Sequence, residues 1–231
     1  MRALLTLLAL VSLPVPLPVL AAGLNDTGVT QCLNTAGTAL ETCSAANTGN
    51  AAAYPRQDAR FGRDAAQAAG QLPAKTGGGA AGFDFTPLDA AGNVITLTTG
   101  TPPVPSATPI CTHDNVTNLT WEVKTAANYS SAYTFAQAAT YASTINTASL
   151  CGTANWRVPT RRELLSIVHL GTNNPPIDTN YFPNTPGEWF WTSDIYAPDS
   201  TKAWGVWFND GAAEAKSNSS YFRVRLVRSG Q

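Results

Sequence analysis

The pattern of apolar and polar positions changes character along the chain. Residues 23–82 are rich in Ala, Gly, Thr, Asn and Gln and hold few large apolar side chains. Such a stretch buries too little to fold alone, so it needs a covalent staple or a surface to dock on. Phe83 to Thr86 and Asn93 to Leu97 alternate as strands do, with Ala90-Ala91-Gly92 as a turn between them. Thr101-Pro102-Pro103-Val104-Pro105 follows as a stiff connector. Lys75-Thr76-Gly77-Gly78-Gly79 is Gly-rich but lacks the flanking strand and the closing Lys-Ser/Thr of a phosphate loop.

Beyond the connector the pattern is denser. Ile110 to His113 and Leu119 to Val123 predict a hairpin around Asp114-Asn115. Thr134 to Asn146 predicts a helix, with Phe135, Ala138, Ala139, Ala142 and Ile145 on one face. Thr160-Arg161-Arg162-Glu163 is a capping box that opens a second helix, with Leu164, Ile167 and Val168 as its buried stripe. Gly171 ends that helix and Pro175-Pro176 prevents its resumption, which places His169 in the last turn. Trp189 to Ser193, Ala203 to Phe208 and Tyr221 to Leu226 read as strands, with Asn209-Asp210-Gly211 as a tight turn. In the last of them Phe222, Val224 and Leu226 share one side, and Tyr221, Arg223 and Arg225 the other. Helices first and antiparallel strands afterwards predict an α+β fold.

Composition narrows the function classes. Hydrophobic residues are 44% of the 231, enough for a core, and charged residues only 13%. With 14 basic against 15 acidic residues and no Lys/Arg run, nucleic-acid binding by phosphate neutralisation is excluded. The first 22 residues read as an export signal: Arg2, an apolar run from Leu4 to Leu13, and small residues near Ala21-Ala22. Pro14, Pro16 and Pro18 break that run, and no later stretch predicts a membrane span in the mature chain. The expected division is residues 1–22 as signal, 23–107 as a loop-rich and β segment, and 108–231 as the main domain. Four cysteines in an exported chain predict two disulfides. Of the three pairings, local spacing favours Cys32–Cys43 and Cys111–Cys151.

Two blocks carry a family resemblance. Cys111-Thr-His-Asp-Asn-Val-Thr-Asn-Leu-Thr-Trp121-Glu122 and Cys151-Gly-Thr-Ala-Asn-Trp156-Arg157-Val-Pro159-Thr160-Arg-Arg-Glu163-Leu164 resemble motifs of the Lcl C-terminal domain family. Trp191-Thr192-Ser193, Ala203-Trp204, Phe208-Asn-Asp-Gly211 and Arg225-Leu-Val-Arg228 extend the likeness over about residues 108–229. The chain has Asn118 where the family has Gly, and Leu226 where members often have Cys. The resemblance implies a C-type-lectin-like fold, related in shape to formylglycine-generating enzymes. It also implies a surface-presented binding module, since a founding member is an adhesin that recognises glycosaminoglycans.

Within the second block, Pro159 fixes the chain before the helix, Thr160 caps it, and Trp156 anchors it beside Cys151. Arg157 is expected in a buried bidentate pair with Glu122 or Glu163. For ligand binding the candidates are Trp207 and Tyr221 as exposed aromatic faces, with Arg223 and Arg225 for sulfate or carboxylate groups. Catalytic chemistry has little to rest on: the only His residues, His113 and His169, have no partner at metal spacing, and no Gly-x-Ser-x-Gly elbow exists. No cofactor is expected. Calcium is the one alternative, through Asp194, Asp199, Asn209, Asp210 and Glu214. The expected function is an exported, non-enzymatic binding or adhesion module of the bacterial envelope or surface, with a glycan or other extracellular polymer as ligand. The alternatives are a structural or accessory subunit of an envelope or pilus-like assembly, binding envelope protein, and an envelope-acting enzyme.

Overall fold

A computed structural model describes residues 25–44, 48–54 and 56–230. The export signal expected over residues 1–22 lies outside the described residues. The fold is α+β with antiparallel sheets. A small ribbon of β1 (Cys32–Leu33) and β2 (Leu40–Glu41) comes first, followed by short helices α1 (Gly49–Ala53), α2 (Asp58–Phe61) and α3 (Arg63–Ala68). The Cys32–Cys43 disulfide staples this segment. The buried Asn50 side chain bonds Ser44 N–H, Glu41 and the Thr42 carbonyl, in place of an apolar core.

The larger sheet has the order β3-β4-β5-β9, from Phe85–Leu88, Cys111–Asp114, Leu119–Glu122 and Val227–Ser229. Its first strand comes from before the Pro-rich connector, and Phe83 and Phe85 lie in the main core. The hairpin of β4 and β5 forms at the expected place. Its turn closes on Asn118, which sits at φ 55°. Glycine adopts that left-handed conformation most readily and Asn next, so Asn118 can stand where the family has Gly.

The second sheet has the order β6-β7-β8, from Trp189–Ile195, Lys202–Trp207 and Ala213–Ser217. Here the expectation of a strand over Tyr221 to Leu226 is corrected. The Asn209-Asp210-Gly211 turn throws the chain straight back along β7, so Ala213–Ser217 becomes the third strand. Residues 222 and 223 make only single bridges, to Tyr133 and Phe190. Val224, Arg225 and Leu226 are all buried, because this stretch is covered on both sides and does not alternate.

Helix α4 (Phe135–Thr147) opens with a capping box between Thr134 and Gln137. Helix α5 (Arg161–Leu165) opens with the expected box between Thr160 and Glu163. The expectation that α5 runs to Gly171 is corrected: it ends at Leu165, where the Ser166 hydroxyl bonds the Glu163 carbonyl. Ile167 and Val168 remain buried from the turn that follows. His169 therefore lies outside the helix, with its ring 5.5 Å from that of Phe83 and its Nδ1 accepting the Gly171 N–H.

Two clusters form the core. Phe85, Trp121, Leu164, Phe190, Val206 and Val227 belong to one, with α5. Cys111, Ala142, Trp156, Trp191, Val224 and Leu226 belong to the other, with α4, and the Cys111–Cys151 disulfide lies within it.

Glu163 links cap and motif. Arg157 grips it with both terminal nitrogens, at 2.8 and 2.6 Å. The bidentate pair is present, but it sits at the surface and not in the core, because Arg157 keeps 43% of its side chain exposed. Partial burial would raise the Glu163 carboxyl, but the bonds from Arg157 and Thr160 outweigh it and hold the carboxyl below its usual 4.5. A carboxyl lowered by folding contributes stability above its unfolded pKa, and that contribution is lost as pH falls through the folded value. Glu163→Gln keeps a capping side chain and removes the charge. It is expected to cost under about 1 kcal/mol at pH 7, as half-exposed pairs do. In urea unfolding the gap to wild type should close by pH 3; an equal gap at pH 3 and pH 7 would sink this reading.

Candidate functional site

β6 and β7 pair Trp189 with Trp207 directly across the ladder. Facing residues in a sheet interact through their side chains, and here the two indoles stack, with centroids 5.6 Å apart and planes 7° apart. Both are half-buried. The stack continues inward through Phe222, 5.9 Å from Trp189 and 4.5 Å from Trp191, to Phe135, 5.6 Å from Trp191. Gly205 makes room for it: a Cβ there would meet the Trp189 ring at 3.3 Å and Phe222 at 3.8 Å. A Cβ there would also meet the Phe190 carbonyl at 3.3 Å, so even alanine would make its neighbours give by a few tenths of an ångström.

Polar groups rim this aromatic face. In β8, Glu214 faces Gly205 and Lys216 faces Ala203, so both side chains rise on the same side as Trp189 and Trp207. Lys216 Nζ lies 4.1 Å from the Trp189 ring centroid and 2.7 Å from Glu214 Oε2. An ammonium over an indole is an attractive cation–π contact. The ammonium, paired to Glu214, thus lies over the Trp189 ring, so stacking on an indole falls to the half-buried Trp207 beside this donor and acceptor. That chemistry suits a sugar ring, whose C–H face stacks on an indole while its hydroxyls bond the rim.

The four predicted ligand residues separate. Trp207 is in the stack. Tyr221 is 66% exposed and precedes Phe222, which packs on Trp189. Arg223 flanks β6 through its backbone, and its guanidinium donates to the Ser130 carbonyl. Arg225 is corrected: it is fully buried and cannot meet a ligand at the surface. Its Nη2 bonds the Thr185 hydroxyl at 2.6 Å and its Nη1 the Glu122 carbonyl at 3.1 Å. Burial pushes Arg225 down to about 10.

Sequence reasoning missed Trp189, Gly205 and Lys216, and weighed Glu214 for calcium alone. Trp189 had a signal in its alternation with Phe190. Lys216 and Glu214 had none, because Ala213–Ser217 lacks the apolar periodicity that marks a strand.

The oxygen side chains weighed for calcium do not converge. Asp194 accepts the Arg161 N–H, Asp199 serves Thr201 and Lys202, Asp210 accepts the Ala212 N–H, and Glu214 holds Lys216. Among the described residues, no three His, Cys, Asp or Glu side chains gather to hold a metal ion. No described helix is long and apolar enough to cross a membrane.

The Cys151 to Leu164 block frames a separate groove of ≈ 710 Å³ between α4 and the stretch leading into α5, with Ala138, Ala142, Trp156 and Val158 among its walls. Trp156 is 2% exposed, and its indole N–H donates to the Leu150 carbonyl. It holds the block together from within.

The family model described as the Lcl C-terminal domain matches residues 110–228. No curated protein matches the chain.

Proposed function

The chain belongs to the Lcl C-terminal domain family, and from that premise we propose that it is an exported, non-enzymatic binding module of the cell envelope or surface. Its ligand is a glycan or similar extracellular polymer. The observation that supports this is the Trp189–Trp207 stack, half open to solvent and rimmed by Lys216 and Glu214. Tyr221 is an exposed aromatic side chain next in sequence to Phe222, and Arg223 lies beside β6.

A glycan array and titrations with sulfated and neutral polysaccharides test the reading. Trp207→Ala should weaken binding at least tenfold, about 1.4 kcal/mol, in a protein with unchanged circular dichroism. Unchanged binding in folded Trp207→Ala and Trp189→Ala would remove this face, and an array without any hit would remove the glycan.

A second reading, a structural subunit of an envelope assembly, rests on β8. Among the described residues it pairs with β7 on one side only, so its outer backbone edge is available to another strand. Concentration-dependent assembly that Trp207→Ala leaves untouched would favour it.

A further inference from the structure

The larger sheet carries a row of polar side chains that the aromatic face does not use. The register pairs Thr86 with His113, His113 with Thr120, and Thr120 with Arg228. Each of the four strands contributes one residue, and cross-strand partners project to the same side. Two positions further along the strands, Leu88 and Cys111 on that same side are covered by the α4 cluster. At the row itself the sheet opens into a cleft of ≈ 410 Å³, whose lining includes these four side chains with Asn115 and Asn118.

Arg228 is the anomaly. It is 5% exposed, yet among the described residues it has no carboxylate partner. Its Nε has no hydrogen-bond partner, and its Nη1 reaches only the neighbouring Ser229 carbonyl, at 3.5 Å. The guanidinium lies 5.6 Å from the Trp156 ring centroid, which offers a face but no acceptor oxygen. A buried cation without an acceptor is costly unless something supplies one. Beside it, His113 Nδ1 and the Thr120 hydroxyl are 3.0 Å apart, and Asn115 donates to the Thr86 hydroxyl at 2.9 Å.

We infer that this cleft is a binding site for a singly charged oxyanion group, a carboxylate or a sulfate ester, gripped by Arg228 and flanked by Thr120 and His113. The planar guanidinium fork matches either group bidentately. Burial, then the charge of Arg228, push His113 below its usual 6.5, while Asp84 pulls the other way. The ring is therefore neutral at pH 7 and gives a hydrogen bond without adding charge, so the site holds one net cation for one anion. Asp84 does not fill it. Its oxygens take the Thr76 and Gly77 N–H groups and Asn115. It adjoins β3, three inter-strand spacings of about 4.8 Å from the strand of Arg228, or roughly 14 Å.

The test uses the two histidines, His113 and His169, as reporters in untagged protein. Sodium glucuronate and sodium methyl sulfate are titrated separately at constant ionic strength, with sodium chloride as control, and the imidazole resonances are followed by NMR. The expected result is a saturable shift at His113 with glucuronate, methyl sulfate or both, and none at His169 or with chloride. The arm that saturates at the lower concentration names the source. Arg228→Gln should weaken binding at least tenfold. The wild-type titration stands alone if that variant does not fold. The inference is overturned if neither anion gives a saturable His113 shift, if chloride reproduces it, or if folded Arg228→Gln responds as wild type does.

Discussion

Glu122→Ala is expected to destabilise the protein by about 3–5 kcal/mol, the cost of leaving buried charges without their partner. Glu122 and Lys124 each keep 2% of their side chains exposed and meet at 2.7 Å. The Tyr141 hydroxyl donates to the same Glu122 oxygen, and the other oxygen accepts the Leu226 N–H at 3.0 Å. Arg225 stands beside them, also buried. Burial pushes Lys124 below its usual range and raises the Tyr141 hydroxyl, so the carboxylate is what keeps this group of polar side chains tolerable in the core. Without it, the Lys124 ammonium, the Tyr141 hydroxyl and the Leu226 N–H lose an acceptor together, and Arg225 loses a nearby opposite charge. Total stabilities are only about 5–15 kcal/mol, so the variant should unfold at a far lower urea concentration than wild type. Lys124→Met should cost less, because it removes a desolvated cation while Glu122 keeps Tyr141 and the Leu226 N–H. If the two variants lose equally little, the network contributes nothing and this account fails.

Trp156→Ala should cost about 3–5 kcal/mol, as large aromatic truncations in cores do. The ring is 2% exposed and its N–H is bonded to Leu150. Its backbone is clamped by Asn146, which accepts its N–H at 2.7 Å and donates to its carbonyl at 2.9 Å. The neighbouring Arg157→Ala should cost under about 1 kcal/mol, because its pair with Glu163 is half in water. Adjacent residues of one motif thus differ several-fold in effect. Thermal melts of the two variants decide it: equal losses would mean that the Arg157 pair is worth as much as a core anchor.

What could be read from the sequence was local. The turn between β4 and β5, the Thr160–Glu163 cap, and the Cys32–Cys43 disulfide, 11 residues apart, each depend on residues close in the chain. Trp156 declared itself by size and by its place shortly after Cys151. What failed depended on tertiary cover. Arg225 alternates as an outward residue should, but another layer lies over it. Lys124 carries no sign in the sequence that it will be buried. β8 is a polar edge strand whose only instruction is the turn before it, and β3 joins its sheet across the connector. Of the aromatic face Trp207 was legible. The rim was not, because it rides on β8.

The pairing of β5 with β9 has a temporal side. Leu119 and Ser229 are partners in the sheet. At about 5–20 residues per second, the later strand follows the earlier one out of the ribosome by roughly 5–20 s. Until then Trp121 has no Val227 beside it, and Glu122 has no Leu226 N–H to hold. Non-local contacts give nothing back until the intervening loop has closed, so the nascent chain gains little by collapsing early. Until β9 has been made the larger sheet is incomplete, and the chain is the easier to keep extended. That is the form in which a chain can still be passed lengthwise through a narrow channel, and it suits the export proposed for it.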